Sequence, residues 1–324
     1  MLIRKLALAG AAALALTTGG INAAGAADMV TVDVTAIVQH PALDAARDGV
    51  KKALEDAGYK EGTNLTFHYE SAQGNPATAT QIAQKFAGEN PNVIVAIATP
   101  SAQAVAATTQ DIPVVFTAVT DPVGAQIVKT LDKPGGNITG ISDMSPLADH
   151  LKLIQEIVPS AKKIGVPYNP GEANAVTLLN ALKKMAPSYG ITVVEAPATK
   201  SSEVQGAAQS LVGKVDAIYV PTDNTIVSAL EAVIAVGKEN KLPVFSGDTD
   251  SVTRGTIASI GFDYFQVGLQ TGAVVVRVLK GEKPGDIAVQ NASGTDLFVN
   301  PKAAAAMGVT LPDALIKRAK KVVE

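Results

Sequence analysis

Apolar and polar residues after position 28 alternate between short β-rich runs and longer segments with helical periodicity. Residues 29–38 are rich in β-branched side chains, which favours a strand. Residues 43–57 repeat apolar side chains every three or four positions, which predicts an amphipathic helix. Residues 93–98 form a continuous apolar run, typical of a strand covered on both faces. This alternation predicts parallel sheets with right-handed crossovers and helices on both faces.

The same alternation continues to about residue 290. It predicts a second helix over residues 77–90, and further strands over residues 65–71, 164–168, 191–195, 217–220 and 244–246. Pro167 stands within one of these strands, and we expect that strand to end or bend early because proline cannot donate a ladder hydrogen bond. The chain has 324 residues, which is more than one ordinary domain, so two domains are expected.

Two segments of the chain, residues 93–121 and 217–248, share one organisation. Each predicts a strand, a polar turn, an alanine-rich helix, an Ile/Leu-Pro-Val step into a second strand, and a polar turn ending in aspartate. Two similarly wound domains explain this repeat, and the alternative is a chance similarity between two βαβ units. We therefore predict an α/β protein with two Rossmann-like, doubly wound parallel-sheet domains and a cleft between them.

The first 27 residues have the features of a secretory signal peptide. Arg4 and Lys5 precede an apolar run over residues 6–16, and small residues follow as far as Ala27. The alternative is a membrane anchor, but this run is shorter than the roughly 20 residues that span a bilayer. The sequence contains no cysteine, which excludes a cysteine-linked lipid anchor, disulfides and thiolate metal sites. We expect a periplasmic protein without a lipid anchor.

Charge and motifs argue against several classes of function. With 27 Lys and Arg against 30 Asp and Glu, the chain has a formal net charge of −3 and no basic stripe for nucleic acid. It contains no nucleophile elbow, phosphate loop, dinucleotide fingerprint or zinc-protease motif. The three histidines fit no local metal motif. We therefore predict no catalytic residue, metal or cofactor; the alternative is a hydrolase or isomerase that uses Asp223 and Asp248 as acid and base.

Polar residues cluster directly after the predicted strands. Ligands of open α/β sheets bind beyond the carboxyl ends of the strands, so these residues would line one cleft if the domains face each other. From the first domain they are His40, Thr99, Ser101, Thr117, Thr120 and Asp121, and from the second they are Asn169, Glu172, Asn174, Asp223, Asn224 and Asp248.

The chemistry of these residues suits a small ligand with two charges. The helix start at Thr99-Pro100-Ser101 offers backbone N–H groups and hydroxyls for a carboxylate. Asp121, Asp223 and Asp248 can each hold an ammonium group, although each can also simply cap the following helix. An amino acid carries both the carboxylate and the ammonium group that these residues can bind. A sugar, with its hydroxyl groups, fits the polar residues nearly as well. The absence of tryptophan favours a moderately apolar pocket over a sugar-stacking platform.

Several stretches of the chain resemble one family, the tryptophan/tyrosine-type substrate-binding proteins of bacterial ABC transporters, and they run from about residue 30 to the carboxyl end. They are VQHPALDAARDGV, NPNVIVAIATPSAQA, IPVVFTAVTDPVGA, KPGGNITGISD, IGVPYNPGEANA, VDAIYVPTDNTIVSALEAV and LPVFSGDTDSV. The resemblance implies the type I periplasmic binding fold, in which three crossings join two Rossmann-like domains around the ligand. It also implies an aromatic amino acid as ligand, and it adds Ala102 to the expected first-domain wall.

The resulting hypothesis has a defined domain organisation. Residues 1–27 are a signal peptide, residues 28–143 with about 250–287 form one lobe, and residues 144–249 with about 288–324 form the other. The crossings are expected near residues 142–146, 246–251 and 286–291. The protein is predicted to be a monomer that delivers an aromatic or large apolar amino acid to an ABC permease in the inner membrane. The alternatives are a binding protein for a sugar or other small polar solute, and a sensory ligand-binding protein.

Overall fold

The computed structural model describes residues 29–324, so the predicted signal peptide lies outside the described residues. The strands are β1 (Val30–Ala36), β2 (Leu65–Ser71), β3 (Val93–Ile97), β4 (Val114–Val119), β5 (Ile138–Ser142), β6 (Lys163–Tyr168), β7 (Thr192–Pro197), β8 (Ala217–Val220), β9 (Val244–Ser246), β10 (Ala258–Gly261), β11 (Gln290–Asn291), β12 (Asp296–Val299) and β13 (Lys321–Val322). The helices are α1 (Pro41–Asp56), α2 (Pro76–Glu89), α3 (Thr99–Thr108), α4 (Leu147–Ile157), α5 (Ala173–Met185), α6 (Val204–Ser210), α7 (Asn224–Ser228), α8 (Leu230–Asn240), α9 (Asp250–Arg254), α10 (Tyr264–Leu279), α11 (Pro301–Ala306) and α12 (Asp313–Arg318). Within residues 29–324, no helix combines the length and the apolar character needed to cross a membrane.

The first sheet has six strands in the order β11-β5-β4-β3-β1-β2, and all of its strand pairs are parallel. The central strands β3 and β4 are buried at every residue, as the continuous apolar run predicted. Helix α1 packs against α10, and α2 packs against α3. Every strand and helix predicted from the sequence is present, with bounds that differ by no more than two residues.

The helices α1 and α10 approach so closely that glycine is required at their contact. A Cβ atom on Gly268 would lie 2.1 Å from the carbonyl oxygen of Ala46, and one on Gly49 would lie 2.2 Å from the carbonyl oxygen of Phe265. This contact fixes α10 to the first sheet, although about 200 residues separate it from α1 in the chain.

The second sheet has the parallel order β7-β6-β8-β9. A three-stranded sheet, β10-β12-β13, continues beside it, and the Ile257 N–H group donates a 2.8 Å hydrogen bond to the Val244 carbonyl oxygen. Pro167 does not end β6 early, because β6 stays in register with β7 as far as Tyr168. Pairing of β6 with β8, however, covers only Ile164 and Gly165.

The buried apolar residues form two separate clusters. One draws on residues 32–141 and 262–292, and the other on residues 147–258 and 299–315. We call residues 29–143 with 262–292 the first lobe, and residues 144–261 with 293–324 the second lobe. The two repeated segments each form a βαβ unit, one in each lobe. The chain therefore crosses between the lobes at residues 143–146, 262–263 and 293–295.

Two of these crossings differ from the boundaries expected from the sequence. The chain does not return to the first lobe near residue 250, because α9 and β10 remain with the second lobe, where Ile257 and Ala258 pack in its core. The polar turn after β9 resembles the end of a lobe, but β10 follows and bonds to β9 through Ile257. The third crossing also lies later than residue 287, since β11 pairs with β5.

Candidate functional site

A cavity lies between the two lobes. The first lobe lines it with His40, Ala42, Leu43, Ala118, Thr120, Asp143 and Tyr264, and the second lobe lines it with Asn174, Thr222, Asp223, Asn224, Val227 and Asp248.

The structure brings six of the residues predicted from the sequence to the wall of this cavity. They are His40, Thr120, Asn174, Asp223, Asn224 and Asp248. The other seven do not line it, namely Thr99, Ser101, Ala102, Thr117, Asp121, Asn169 and Glu172.

The start of α3 lies beside the site without reaching the cavity wall. The hydroxyls of Thr99 and Ser101 are buried, and neither has a hydrogen-bond partner among the described residues. Ala102 packs in the core of the first lobe, and the Thr117 hydroxyl accepts a 2.8 Å hydrogen bond from Thr271. The expected carboxylate site at this helix start therefore does not face the cavity.

A backbone irregularity in β4 explains which residues reach the cavity instead. The register of β4 against β5 shifts between Phe116 and Val119, and Ala118 takes a φ of 53°. A positive φ is strained for a residue with a side chain, and such strain concentrates at functional sites. This bulge lies in the part of β4 from which Ala118 reaches the cavity, with Thr120 following it. Asp121 lies further along the same loop, where its carboxylate accepts a 2.9 Å hydrogen bond from the Gly124 N–H group.

Glu172 positions residues of the second-lobe wall through hydrogen bonds. Its Oε1 atom accepts hydrogen bonds from the N–H group and the hydroxyl of Thr225 at 3.0 and 2.7 Å. Its Oε2 atom accepts from the Asn224 side chain at 2.5 Å and from the Asn174 side chain at 3.2 Å. Asn169 contributes in the same way, since its backbone N–H group donates to the carboxylate of Asp223 at 2.5 Å and its side chain donates to the Thr225 hydroxyl at 2.8 Å. These two predicted residues therefore position cavity residues rather than line the cavity.

Asp223 and Asp248 line the cavity, but the atoms of both carboxylates already accept hydrogen bonds from the protein. The two oxygens of Asp223 accept from the N–H groups of Ile226 and Asn169 at 2.9 and 2.5 Å. Those of Asp248 accept from the N–H group and hydroxyl of Ser251 at 2.8 and 2.6 Å. Burial raises the pKa of both carboxyl groups. Hydrogen bonds from the following helical turn, and for Asp223 also from the loop at Asn169, therefore occupy the oxygens of both acids.

Asp143 is the acid that the sequence analysis missed. It follows β5 at the first crossing, it is 2% exposed, and its Oδ2 atom accepts a 2.6 Å hydrogen bond from the Tyr264 hydroxyl. Its Oδ1 atom has no hydrogen-bond partner within residues 29–324, although the Thr120 side chain lies nearby. Burial raises the pKa of Asp143, and the hydrogen bond from Tyr264 and the nearby Thr120 side chain oppose this rise. The strand-end rule that selected the other acids applies to the sequence Gly140-Ile141-Ser142-Asp143 as well.

His40 lies between the lobes as a neutral side chain. Burial lowers its pKa to about 3, the charge of Arg254 lowers it further, and the side chain of Asn224 opposes both effects. Asn224 belongs to the second lobe, and it lines the same cavity as His40.

Four buried polar atoms of the cavity residues find no hydrogen-bond partner within the described part of the chain. They are Nδ1 of His40, Oδ1 of Asp143, Oδ1 of Asn174 and the hydroxyl of Thr222. Each such atom costs about 1–3 kcal/mol when it stays unsatisfied. Ala42, Leu43, Ala118 and Val227 supply an apolar part of the same wall. The arrangement therefore suits a small molecule with polar groups at one end and an apolar group at the other.

Comparison with known proteins agrees with this arrangement. Residues 31–323 match the family described as ABC transporter substrate binding protein. The chain is 44% identical over 269 residues to a tyrosine-binding protein of Clostridioides difficile strain R20291, and the match covers 83% of this chain and 78% of that protein.

Two crystal structures are similar over most of the chain. A conserved domain protein from Vibrio cholerae O1 biovar El Tor is 53% identical, with a TM-score of 0.90 over 91% of this chain and 100% of that one. An ABC domain from Streptococcus pneumoniae in complex with L-Trp is 34% identical, with a TM-score of 0.88 and the same two coverages. The predicted α/β class and type I periplasmic binding fold are confirmed. This chain belongs to the family of ABC transporter substrate-binding proteins.

Proposed function

We propose that this protein binds an aromatic or large apolar amino acid between its lobes and delivers it to an ABC permease. The observation that carries the proposal is a group of four buried polar atoms that lack a partner among residues 29–324 and lie in residues of one cavity, beside apolar side chains. The tyrosine-binding relative and the complex with L-Trp support the ligand class. The role is binding and not catalysis, because the hydrogen bonds that Asp223 and Asp248 accept from their own or neighbouring loops account for both acids.

The ammonium group of the ligand would bind to Asp143. Asp223 and Asp248 already accept two hydrogen bonds each, whereas Asp143 offers one buried oxygen without a partner among residues 29–324. A charged hydrogen bond of this kind is about twice as strong as a neutral one. An ammonium group beside Asp143 would also lower its raised pKa and favour the ionised carboxylate.

The carboxylate of the ligand would face the hydroxyl of Thr222 and the neutral imidazole of His40. Both offer a polar atom without a partner in the described part of the chain, and both can donate a hydrogen bond. The apolar side chain of the ligand would pack against Leu43 and Val227, and its burial would contribute about 1.5–3 kcal/mol. Micromolar affinity needs about 8 kcal/mol, so most of the affinity would come from the charged ends.

Binding would be coupled to closure of the lobes. The two walls of the cavity come from different lobes, with His40 on one wall and Asn224 on the other. The segments 143–146, 262–263 and 293–295 would act as hinges, and Asp143 lies on the first of them. The protein would work as a periplasmic monomer that is exported by residues 1–27.

A thermal-shift screen tests the ligand class. Protein that has been unfolded, dialysed and refolded would be mixed with each of the twenty amino acids, with common sugars and with nucleosides. Binding to the native state raises the unfolding midpoint by mass action. We expect the largest rise with tyrosine, tryptophan or phenylalanine. A rise with a sugar or nucleoside and with no amino acid would overturn the proposal.

A further inference from the structure

A second cluster of polar side chains lies in the first lobe, away from the cavity between the lobes. Asp33 on β1 and His68 on β2 are partners in register across the parallel strands. The His68 ring packs against Phe86 of α2 at 5.5 Å between ring centroids. Glu89, the last residue of α2, completes the cluster, and one ligand atom from each of Asp33, His68 and Glu89 lies within 4.8 Å of the other two.

Asp33 has a buried carboxylate with one oxygen that lacks a hydrogen-bond partner among the described residues. The residue is 1% exposed, and its Oδ2 atom has no hydrogen-bond partner anywhere in residues 29–324. The imidazole Nδ1 atom of His68 lies 3.8 Å from Oδ1, which is too long for a hydrogen bond. A buried charge without a partner is costly, so a cation bound beside this oxygen would stabilise the ionised carboxylate.

The surroundings of Asp33 carry an excess of negative charge. Glu70 lies 3.3 Å from the Nε2 atom of His68, so three carboxylates surround one imidazole and one ammonium group, that of Lys85. The cluster also lies at the carboxyl end of α2, where the unpaired carbonyl groups give a partial negative charge. Both features favour a divalent cation.

We propose that Asp33, His68 and Glu89 form a binding site for a divalent transition-metal ion of the Zn²⁺ class. One imidazole and two carboxylates are a typical ligand set for such ions. Mg²⁺ and Ca²⁺ prefer oxygen ligands alone and are expected to bind far more weakly. The ion would join the edge strand β2 and the end of α2 to β1, and would stabilise the first lobe without contacting the cavity.

Lys85 is the internal competitor for this ion. Its ammonium group contacts Glu70 and lies 3.9 Å from Glu89. The side chain is 47% exposed, so it can move into solvent when the metal binds.

Calorimetric titration of chelator-treated protein with Zn²⁺ tests the proposal, with Mg²⁺ as the comparison ion and Co²⁺ absorption as a spectroscopic probe. We expect one equivalent of Zn²⁺, and at least tenfold weaker binding in Asp33→Asn and in His68→Ala. Lys85→Met should bind more tightly than the natural sequence. The matched control is Glu61→Gln, which removes a half-exposed carboxylate of the same lobe outside the cluster and should leave the affinity unchanged.

We expect little binding of Zn²⁺ elsewhere in the protein. The chain has three histidines and no cysteine, and the other two histidines, His40 and His150, are both buried. Binding that is absent, or equal in Asp33→Asn, His68→Ala and the natural sequence, would overturn the proposal. If either of these variants fails to fold, Lys85→Met provides the test. Removal of the competing ammonium group should tighten Zn²⁺ binding, so an unchanged or lower affinity in Lys85→Met would contradict the proposed site.

Discussion

The hydroxyl of Tyr264 donates a 2.6 Å hydrogen bond to Asp143, although the two residues lie 121 positions apart in the chain. Asp143 follows β5 at the first crossing between the lobes, and Tyr264 begins α10 directly after the second. The pair therefore connects two of the three proposed hinge segments at the wall of the cavity. A ligand that binds the remaining oxygen of Asp143 would act on the hinge directly, which gives a physical route from binding to closure.

Replacement of Asp143 by asparagine is the first test of this route. The introduced asparagine would keep an oxygen that can accept the hydrogen bond from Tyr264, but it would lose the charge that an ammonium group requires. We expect the affinity for the amino acid to fall at least tenfold, measured by calorimetry, while the far-UV circular dichroism spectrum stays unchanged. The matched control is Asp121→Asn, since Asp121 bonds within its own loop. Full affinity in Asp143→Asn would show that the ammonium group binds elsewhere.

The supporting role of Glu172 is tested by Glu172→Gln. The introduced glutamine can replace only one of the two acceptor oxygens, so its amide group would face the donor groups of Asn224 or Thr225. We expect the free energy of unfolding to fall by about 1–3 kcal/mol, because buried donors lose their acceptor. Ligand affinity should fall as well, although Glu172 does not line the cavity. Urea denaturation and calorimetry measure the two effects, with the more exposed Glu156→Gln of the same lobe as control. Unchanged stability would contradict the role given to Glu172.

The contact between α1 and α10 predicts opposite effects for two substitutions of the same type. Gly268→Ala places a methyl group against the Ala46 carbonyl oxygen and should destabilise the protein by about 1–3 kcal/mol. Gly206→Ala, within α6, meets no atom within 4 Å and should stabilise it by up to about 1 kcal/mol, because alanine is the better helix former. Thermal unfolding of both variants measures the difference. Equal effects would contradict the close packing of these helices.

The stability of the metal-free protein should depend on the ionisation of Asp33. Burial raises the pKa of Asp33 to about 6, and the nearby His68 lowers it only in part. The folded state therefore binds this proton more tightly than the unfolded state, whose carboxyl titrates near 3.9. Ionisation thus opposes folding as the pH rises towards and above about 6, and the opposition is lost as the pH falls towards about 4.

In chelator-treated protein, Asp33→Asn should consequently raise the unfolding midpoint relative to the natural sequence at a pH of about 7.5. The gain should correspond to about 1 kcal/mol, less than the full pKa shift implies, because half-exposed charges nearby are screened by water. The gain should shrink as the pH falls from about 7.5 to about 5, where Asp33 takes up its proton. A difference between the two proteins that stays constant with pH would contradict the raised pKa.

The sequence predicts the fold and about half of the cavity wall for an identifiable reason. Thr120 directly follows β4, Asn224 begins α7 after β8, and the carboxyl ends of parallel strands meet at one edge of a sheet. Tyr264 could not be found in this way, because it follows the second crossing and reaches the cavity through the packing of α10 against α1. Thr99 and Thr117 were expected in the wall, but neither lines it, and the backbone at this edge is irregular at Ala98 and Ala118, whose φ angles are 74° and 53°. The local pattern of apolar and polar residues does not predict such a bulge.

The acids illustrate a second limit of the sequence. An aspartate after a strand predicts equally a helix cap and a ligand for an ammonium group. Asp223 and Asp248 follow the first pattern, because their oxygens accept bonds from their own or neighbouring loops. Asp143 differs only in having one oxygen that finds no partner among the described residues, and that distinction depends on the surrounding side chains.

The most direct test of the central claim is calorimetric titration of refolded, ligand-free protein with L-tyrosine, with L-tryptophan, and with the analogues of each that lack the ammonium group. We predict that one equivalent of at least one of the two amino acids binds, and that the matching analogue binds at least tenfold more weakly. We also predict that Asp143→Asn loses most of this discrimination. If neither amino acid binds, or if both bind no better than their analogues, the proposed role of the cavity is contradicted.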